Sequence, residues 1–393
     1  MILKKAAILF LCVSLCASVT ACKKPAFFEK LSFFKNSSDL SLKELDELLI
    51  RSERGERGAI DRLNDIAEKG SADNQYSLGV CYLKGLAVAQ NYDKAFYWFQ
   101  KAADQEDAKA QYNLARMLAL GQGVKKDFSK SFDWLRKSAE LGYSNAQFEL
   151  GRLYETGFIK LDIPKNYEKA VYWYQKAADQ GFAMAQYNLG VKYREGEGVP
   201  QDAKQAFHLF QKAADQGHAL AQNNLGSMYL KGEGVSEDAK QAFHHFQRAA
   251  EQGLALAQNN LGVMYFYGTG VSQDYLKAFE WFQKSANQGL ASAQYFLGEM
   301  YETGKGTTQN VEKAAYWYQK AINGGDDNAK IALDRIVQKQ KNVRLNVNNQ
   351  SIGQISSRQE KTFNFENVFE KLKQNSSGAN SAHFDNDESE YLK

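Results

Sequence analysis

Apolar and polar positions follow a helical period along most of the chain, and the same arrangement returns about every 36 residues. Its clearest mark is the pattern Leu-Gly-x-x-Tyr. The second position of this pattern falls at Gly79, Ala115, Gly151, Gly190, Gly226, Gly262 and Gly298, with a degenerate copy at Asp334. One interval is longer by three residues, within the stretch TGFIKLDIPKNY. Self-similarity of this length predicts a solenoid of stacked helical repeats.

Each repeat predicts two helices joined by a turn. In LAQNNLGSMYLKG, the residues Ala221, Leu225 and Met228 fall on one helical face. Asp238 then precedes the second helix, where its carboxylate can accept the free amides of the first turn, and Gln241 completes a capping-box pair. The other repeats have an equivalent N-cap residue at Asn91, Asp127, Asn166, Asp202, Asp274 and Asn310.

Glycines mark the ends of these helices. The second helix is predicted to stop at Gly142, Gly181, Gly217, Gly253, Gly289 and Gly324. The turn between the two helices carries a GxG pair at Gly121/Gly123, Gly196/Gly198, Gly232/Gly234, Gly268/Gly270 and Gly304/Gly306. A GxG can also cradle a phosphate, but one ligand needs one cradle, and five copies favour a structural turn.

Segments of other kinds flank the repeats. We predict a signal peptide at 1–21, a lipidated tether at 22–40, N-terminal capping helices at 41–71 and the repeat solenoid at 72–325. A C-terminal capping helix is predicted at 326–341, because an end repeat otherwise exposes its apolar face. The polar, Asn-rich residues 342–393 are predicted to be mostly disordered.

The first residues, MILKKAAILFLCVSLCASVTAC, have two lysines, a short apolar run and small residues, which is typical of a secretory signal. Their end, Val19-Thr20-Ala21-Cys22, resembles the lipobox of bacterial lipoproteins. That resemblance implies acylation of Cys22 and a periplasm-facing anchor in the cell envelope, and Lys23 favours the outer membrane. The alternative is a plain signal peptide cut near Ala21. Cys81 is the one cysteine outside these segments, so the sequence predicts no intrachain disulfide.

Charge gives no case for nucleic acid as a partner. The formal net charge is +3, and removal of the two signal lysines would lower it to +1, without any run of like charges. His208 and His244 hold equivalent positions in neighbouring repeats, which leaves a metal pair open. Other repeats carry Tyr, Asp or Glu at that position, as is typical of a tolerant surface. We expect no cofactor and no metal.

The stretch AQYNLGVKYREGEGVPQDAKQAFHLFQKAADQG, residues 185 to 217, resembles a Sel-like repeat, the solenoid relative of the tetratricopeptide repeat. The resemblance covers about residues 72 to 325. It implies an all-α, right-handed superhelical solenoid of antiparallel helix pairs, with about seven full repeats plus capping helices. Ala115 and Leu118 depart from the motif in the second repeat, and Leu86-Ala87 replaces GxG in the first.

Nothing in the sequence predicts catalysis. There is no HExxH, GxSxG, CxxC or Walker motif. The cysteine-rich branch of the resembled family staples its repeats with disulfides, and this chain lacks those cysteines, so the enzymatic activities of that branch are not carried over. We expect that the protein is not an enzyme.

The resemblance also implies a partner-binding face, because tetratricopeptide proteins build their concave face from the first helix of each repeat. Carried over by position, the candidate contact residues are Tyr76, Tyr112, Arg116, Phe148, Arg152, Tyr187, Arg194, Leu220, Asn223, Leu230, Leu256, Asn259, Phe266 and Tyr295. Asn223 and Asn259 could bond a peptide backbone beside an apolar strip, and Arg116 and Arg152 could hold acidic groups. The alternative is that the aromatic residues pack between helices and that the two Asn repeats share residues through duplication.

Three functions stay open at this point. The favoured one is a cell-envelope lipoprotein that acts as a protein- or peptide-binding scaffold. The second is a periplasmic immunity or inhibitor protein that neutralises an envelope-targeting effector such as a phospholipase. The third, a minor one, is a cell-wall-active enzyme.

Overall fold

The computed structural model describes Leu48, Arg51, residues 57–86 and residues 88–351. The predicted signal peptide, the lipidated tether with Cys22, most of the first capping helix and the tail from residue 352 lie outside these residues.

Regular structure in the described ranges is helical: sixteen α-helices, one short 3-10 turn at Ile159–Leu161, one isolated β-bridge and no strand. Helix α1 (Arg57–Lys69) precedes the repeats, and α16 (Asp327–Ser351) follows them. Repeats 1 to 7 are the pairs α2 (Ala72–Lys84) and α3 (Tyr92–Asp104), α4 (Ala108–Leu120) and α5 (Phe128–Glu140), α6 (Ser144–Thr156) and α7 (Tyr167–Asp179), α8 (Ala183–Glu195) and α9 (Ala203–Asp215), α10 (Ala219–Lys231) and α11 (Ala239–Glu251), α12 (Ala255–Tyr267) and α13 (Tyr275–Asn287), and α14 (Ala291–Thr303) and α15 (Val311–Asn323).

The chain is the all-α solenoid that the repeats predict, and it divides into two compact bodies between Ala213 and Ala214. Within each body, the two helices of a repeat pack against each other and the next repeat packs on the pair. The N-terminal body buries side chains such as Phe99 and Leu114, and the C-terminal body buries Leu261 and Phe282.

The predicted N-caps are confirmed in all seven repeats. Each Asp or Asn side chain accepts a hydrogen bond from the backbone N–H three residues later, at 2.8–3.0 Å. Such a cap stabilises a helix by about 1 kcal/mol. The N-cap residue therefore fixes where each second helix begins.

The GxG turns are also confirmed, since both glycines of all five pairs have positive φ. At Gly270, with φ 68°, a side chain would collide with the carbonyl oxygen of Ala239, at the start of the second helix of the preceding repeat. The turn therefore packs closely against the neighbouring repeat, and this packing explains the glycines without a phosphate.

The last helix of repeat 7 stops at Gly324 as predicted, but Gly324 does not take the left-handed conformation expected there. Gly142, Gly181, Gly217, Gly253 and Gly289 do adopt the left-handed conformation after the second helix. In repeat 7 the left-handed residue is Gly325, with φ 88°, whereas Gly324 has φ −86°. Repeat 1 has Glu106 at this position, with φ 62°, a conformation that costs a residue with a Cβ roughly 1–2 kcal/mol.

The C-terminal capping helix is longer than the predicted 326–341. Helix α16 continues to Ser351, ten residues into the segment predicted to be mostly disordered. Its apolar residues Ala329, Leu333 and Ile336 are buried against repeat 7, as a capping helix requires. The polar residues after 341 carry no apolar period, so the pattern gave no sign of the extension.

The glycine of Leu-Gly-x-x-Tyr lies beneath an aromatic ring from the second helix. A Cβ on Gly226 would stand 2.7 Å from the ring of Phe246, which is fully buried. The same close approach joins Gly79 to Phe99, Gly151 to Tyr174, Gly190 to Phe210, Gly262 to Phe282 and Gly298 to Tyr318. Repeat 2 departs at both positions, with Ala115 in place of glycine and Leu135 in place of the ring. The two substitutions in repeat 2 therefore compensate each other, because a larger residue in the first helix faces a smaller one in the second.

Candidate functional site

The structure sorts the fourteen candidate contact residues by accessibility. Four are buried, namely Tyr112, Phe148, Asn223 and Phe266. Nine are partly exposed, namely Tyr76, Arg116, Arg152, Tyr187, Arg194, Leu220, Leu230, Asn259 and Tyr295. Leu256 is the most open, with 47% of its surface exposed. The four buried side chains pack inside the solenoid, which was the alternative to contact with a partner. That the other positions line a concave face stays a prediction.

Candidate residues two positions before Leu-Gly contact the buried ring of their own repeat, with the two ring planes tilted by 42–45°. The ring centroids lie 5.8 Å apart for Tyr76 and Phe99, and 5.7 Å apart for Tyr187 and Phe210. Tyr295 pairs with Tyr318 in the same way, also at 5.7 Å. Part of each candidate tyrosine ring is thus used by packing, and the partly exposed remainder is what a partner could contact.

The two asparagines differ from the expected pair of free amides. Asn223 is buried, and its Oδ1 accepts a hydrogen bond from Asn260 Nδ2 at 3.0 Å. The Oδ1 of Asn259 is buried without a hydrogen-bond partner. In the following repeat Phe296 replaces Asn260, and its ring stacks on Phe282 at 4.6 Å. These positions therefore join neighbouring repeats, and Asn223 as placed does not face a peptide.

The residue four positions after the glycine of Leu-Gly varies with the aromatic ring that the second helix buries. Where the ring is tyrosine, the first helix supplies glutamate: Tyr174 donates to Glu155 at 2.5 Å, and Tyr318 donates to Glu302 at 2.8 Å. Where the ring is Phe210, the guanidinium of Arg194 lies over it, 5.7 Å from the centroid. Burial, together with Glu155, holds the pKa of Tyr174 well above its usual value.

Arg116 and Arg152 occupy equivalent places on α4 and α6, and aromatic rings support both. Their guanidinium carbons lie 5.9 Å from the ring of Tyr112 and 6.0 Å from the ring of Phe148. Arg152 Nη1 is 3.8 Å from Glu149 Oε2, and both side chains are mostly buried. Guanidinium groups placed in this way are suited to bind carboxylates.

An ion cluster that the sequence pattern did not indicate lies beside these residues. Lys192 is buried on α8, forms an ion pair with Glu155 and donates to Glu197 at 2.5 Å. Burial by itself would lower the pKa of Lys192, but the bonds to the two carboxylates raise it above its usual value. Lys192 directly follows the Gly-Val pair, at the position that Met228 and Met264 hold in the next two repeats, so the pattern predicts an apolar side chain there. Only the arrangement of neighbouring repeats reveals that Glu155 is its partner.

A ladder of buried glutamines was likewise missed. The glutamine three residues before Leu-Gly donates its Nε2 to a carbonyl near the end of the preceding helix, at 3.0–3.3 Å. In repeats 1, 3, 5 and 6 its Oε1 accepts from a glutamine that follows the second helix, as Gln222 accepts from Gln252 at 2.8 Å. The signal was present in the sequence as an invariant Gln in every repeat.

A small cavity marks repeat 2, where Leu135 replaces the aromatic ring. It has a volume of about 20 Å³, and Ala115, Ser131 and Leu135 contribute to its lining. Ser131 Oγ donates to the carbonyl oxygen of Ala115 at 2.7 Å. A space of this size holds roughly one water molecule, so it is a packing defect rather than a small-molecule site.

The histidines do not assemble a metal site within the described chain, where no group of three or more potential ligands comes together. His208 and His244 are exposed on second helices. His245 occupies the position that is tryptophan in most repeats; it is buried and stacks on Tyr229 at 5.5 Å. His218 caps α10, since its Nδ1 accepts from the N–H of Ala221 at 3.3 Å.

Among the helices that the structure describes, none combines the length and the apolar character that crossing a membrane requires. Helix α16, the longest at 25 residues, is largely polar.

Comparison with known proteins agrees with this geometry. The Sel1 repeat model matches seven times, at residues 74–107, 108–143, 144–182, 183–218, 219–254, 255–290 and 291–326. A search of curated protein sequences gives no match.

Three solved structures illustrate the similarity. A protective antigen of uropathogenic Escherichia coli with an SLR fold is 34% identical, with a TM-score of 0.69, over 77% of this chain and 68% of that one. A Sel1 repeat protein of Oxalobacter formigenes is 32% identical, with a TM-score of 0.55, over 79% of this chain and 92% of that one. An immunity protein of Pseudomonas aeruginosa is 26% identical over 55% of this chain and 81% of that one, with a TM-score of 0.34.

Proposed function

Because this chain belongs to the Sel1 repeat family, we propose that it is a protein-binding scaffold whose partner lies along the first helices of its repeats. We further propose that a lipid on Cys22 holds it at the cell envelope. Proteins of this family are typically non-catalytic scaffolds that bind other proteins. The anchor rests on the lipobox-like sequence that ends at Cys22.

Recurring positions and variable positions of the repeat have different roles, and this difference supports the proposal. The N-cap, the glycine beneath the ring and the buried glutamine recur because packing uses them. The accessible first-helix positions differ among the repeats: the position of Arg116 and Arg152 is Val191 in repeat 4 and Glu299 in repeat 7. Solenoids bind through such variable surface positions, while the recurring residues hold the stack together.

The chemistry of the accessible positions describes the partner. In the N-terminal body, aromatic rings support the guanidinium groups of Arg116, Arg152 and Arg194. Arg152 also lies 3.8 Å from Glu149, and Arg194 pairs with Glu195 at 3.2 Å, and guanidinium groups that bind these carboxylates suit acidic groups on a partner as well. In the C-terminal body, Leu220 and Leu230 lie partly exposed at the edge of one apolar core, and Leu256 is still more open. Acidic groups on a partner fit the N-terminal body, and apolar side chains on a partner fit the C-terminal body.

The test compares two leucines of the C-terminal body. Leu256, 47% exposed, lies on the first helix α12, whereas Leu276, 68% exposed, lies on the second helix α13. The detergent-solubilised full chain serves as bait for the envelope fraction of its host, and recovered proteins are quantified by mass spectrometry. Leu256→Glu should reduce recovery of the main partner about tenfold or more, and Leu276→Glu should not.

Both variants must keep the helical circular-dichroism signal of the parent. Equal recovery with all three proteins would contradict binding through the first helices. If the recovered partner were a secreted lipase whose activity the chain abolishes, the immunity hypothesis would replace the scaffold.

A further inference from the structure

The three extra residues of repeat 3 build an ordered hairpin between α6 and α7. The N–H of Phe158 donates to the carbonyl of Ile163 at 2.8 Å, and the N–H of Ile163 donates back at 3.1 Å. A 3-10 turn, Ile159–Leu161, fills the space between them, and Asp162 closes it with φ 51°. Aspartate tolerates this left-handed conformation better than most residues.

The hairpin is fixed to the core of the N-terminal body. Phe158 is buried, and its ring meets that of Phe128 edge-on, with centroids 5.5 Å apart. Leu161 and Ile163 pack partly against the same core. The hairpin therefore presents its tip in a defined position, and little conformational entropy would be lost on binding.

Ile159, at the tip, takes no part in this packing. It is 75% exposed, the highest value among the large apolar side chains of the described residues. An isolated exposed apolar residue is ordinary on a protein surface. Here it stands on an insertion that other repeats lack, and insertions in solenoid repeats often lie on a binding face.

Lysines from two loops meet at the ring on which the hairpin packs. The Nζ atoms of Lys160 and Lys126 lie 4.8 and 6.0 Å from the centroid of the same ring, Phe128. Both lysines are exposed, as is Lys165 at the end of the hairpin. Asp162 is the one acidic residue between Phe158 and Lys165. The hairpin and the ring beside it therefore carry more exposed lysines than carboxylates.

We propose that this hairpin, residues 158–163, is a docking knob: Ile159 enters an apolar pocket of a protein partner, and carboxylates at the pocket rim meet Lys126 and Lys160. The knob lies on a loop, outside the first-helix surface described above, so it can be tested independently. A protein pocket fits better than a bilayer, because a single exposed isoleucine lacks the broad apolar face with which amphipathic segments enter the headgroup region.

Site-specific photocrosslinking tests the knob. Ile159 is replaced by benzoylphenylalanine in the full chain, which is irradiated with the envelope fraction of its host. Ile331, 67% exposed on α16, receives the same replacement as the matched control. We expect one discrete protein adduct from position 159, absent from position 331, with acidic residues next to the crosslinked site. The double change Lys126→Glu and Lys160→Glu should lower its yield at least tenfold.

No adduct at position 159, or an adduct that the double charge reversal leaves unchanged, would overturn the proposal. So would charge-dependent binding to phosphatidylglycerol vesicles without a protein adduct, because that result assigns the knob to a membrane. Thermal unfolding guards against misfolding: Ile159→Asp should leave the Tm unchanged, whereas Phe158→Ala should lower it.

Discussion

A glycine within a helix normally weakens it by roughly 1 kcal/mol relative to alanine, yet six of the seven repeats keep one in the middle of the first helix. The aromatic ring of the second helix explains why the glycine is present in spite of this cost. The ring lies where a Cβ would be, as that of Phe246 does over Gly226. Repeat 2 shows the same constraint in reverse, with Ala115 facing the smaller Leu135.

The pairing predicts a compensating double mutant. Gly226→Ala should destabilise the C-terminal body by about 1–3 kcal/mol, because the new methyl overpacks against Phe246. Adding Phe246→Leu to that variant should cost much less than Phe246→Leu alone in the parent, because it recreates the arrangement of Ala115 and Leu135. Urea unfolding of the four proteins measures the coupling, and simple additivity of the two losses would refute the pairing.

The glutamine ladder predicts a stabilising change. The Oε1 of Gln111 is buried without a hydrogen-bond partner, because Leu141 stands where other repeats place the donating glutamine. Leu141→Gln should therefore raise the free energy of unfolding by about 1 kcal/mol. In a Gln111→Ala background the same change should bring no gain. A gain that persists in that background would show that another cause is at work.

Local chemistry decided which residues the sequence could reveal. The N-cap Asp238 acts on an amide three residues away, so its role was readable from spacing. Asn223 and Lys192 interact with residues that lie in other helices, and their spacing carries no sign of it. The same limit explains Phe266. Its position in the first helix placed it among the candidate contact residues, although its ring lies in the core.

At the scale of helices, the apolar period and the punctuating residues predicted the helix pairs well. The exceptions have physical reasons. Two adjacent glycines, Gly324 and Gly325, follow the last helix of repeat 7, and only the second takes the left-handed conformation. The hairpin at 158–163 is held in place because Phe158 packs into the core. The length of the insertion alone could not predict that contact.

Helices α10 and α11 carry two histidines that folding keeps neutral. Burial lowers the pKa of His218 from 6.5 to about 4, and its Nδ1 must be unprotonated to accept the N–H of Ala221. Burial, and then the neighbouring Arg248, lower the pKa of His245; His244 acts in the same direction and Asp215 opposes it.

Stability of the C-terminal body should therefore fall in mild acid. Both folded-state pKa values lie below that of an unfolded histidine, so the unfolded chain binds protons more readily. The contribution is complete above pH 6.5 and is lost as the pH falls toward 4. We expect the free energy of unfolding, measured in urea, to be about 1–2 kcal/mol lower at pH 5 than at pH 7.

The control is the double variant His218→Asn and His245→Trp, which keeps a capping side chain and restores the tryptophan of other repeats. Its loss of stability between pH 7 and pH 5 should be clearly smaller. An equal loss would assign the acid sensitivity to carboxylates elsewhere.

At the scale of the whole molecule, the repeat length and Leu-Gly-x-x-Tyr sufficed to predict the solenoid and its family. They could not predict which first-helix positions stay accessible, because Leu230 and Phe266 hold equivalent positions in neighbouring repeats, yet Leu230 is partly exposed and Phe266 is buried. The neighbouring repeats determine that difference.

The proposed anchor predicts a change in cell fractionation. Cys22→Ser removes the acceptor of the lipid, so the protein should leave the membrane fraction or accumulate unprocessed. A Cys81→Ser variant is the control, since Cys81 is buried in the first repeat. Recovery of Cys22→Ser in membranes at the mature size would contradict the anchor.

Hydroxyl-radical footprinting of the full chain with its captured partner tests whether that partner covers the first helices. Oxidation reports the accessibility of each side chain. We expect the partner to protect the first-helix residues Tyr187, Leu230, Leu256 and Tyr295. The exposed second-helix residues Tyr97, Tyr172, Leu276 and Tyr316 should be oxidised as fast as in the free protein. Protection of the second-helix residues without the first-helix residues would show that the partner binds elsewhere.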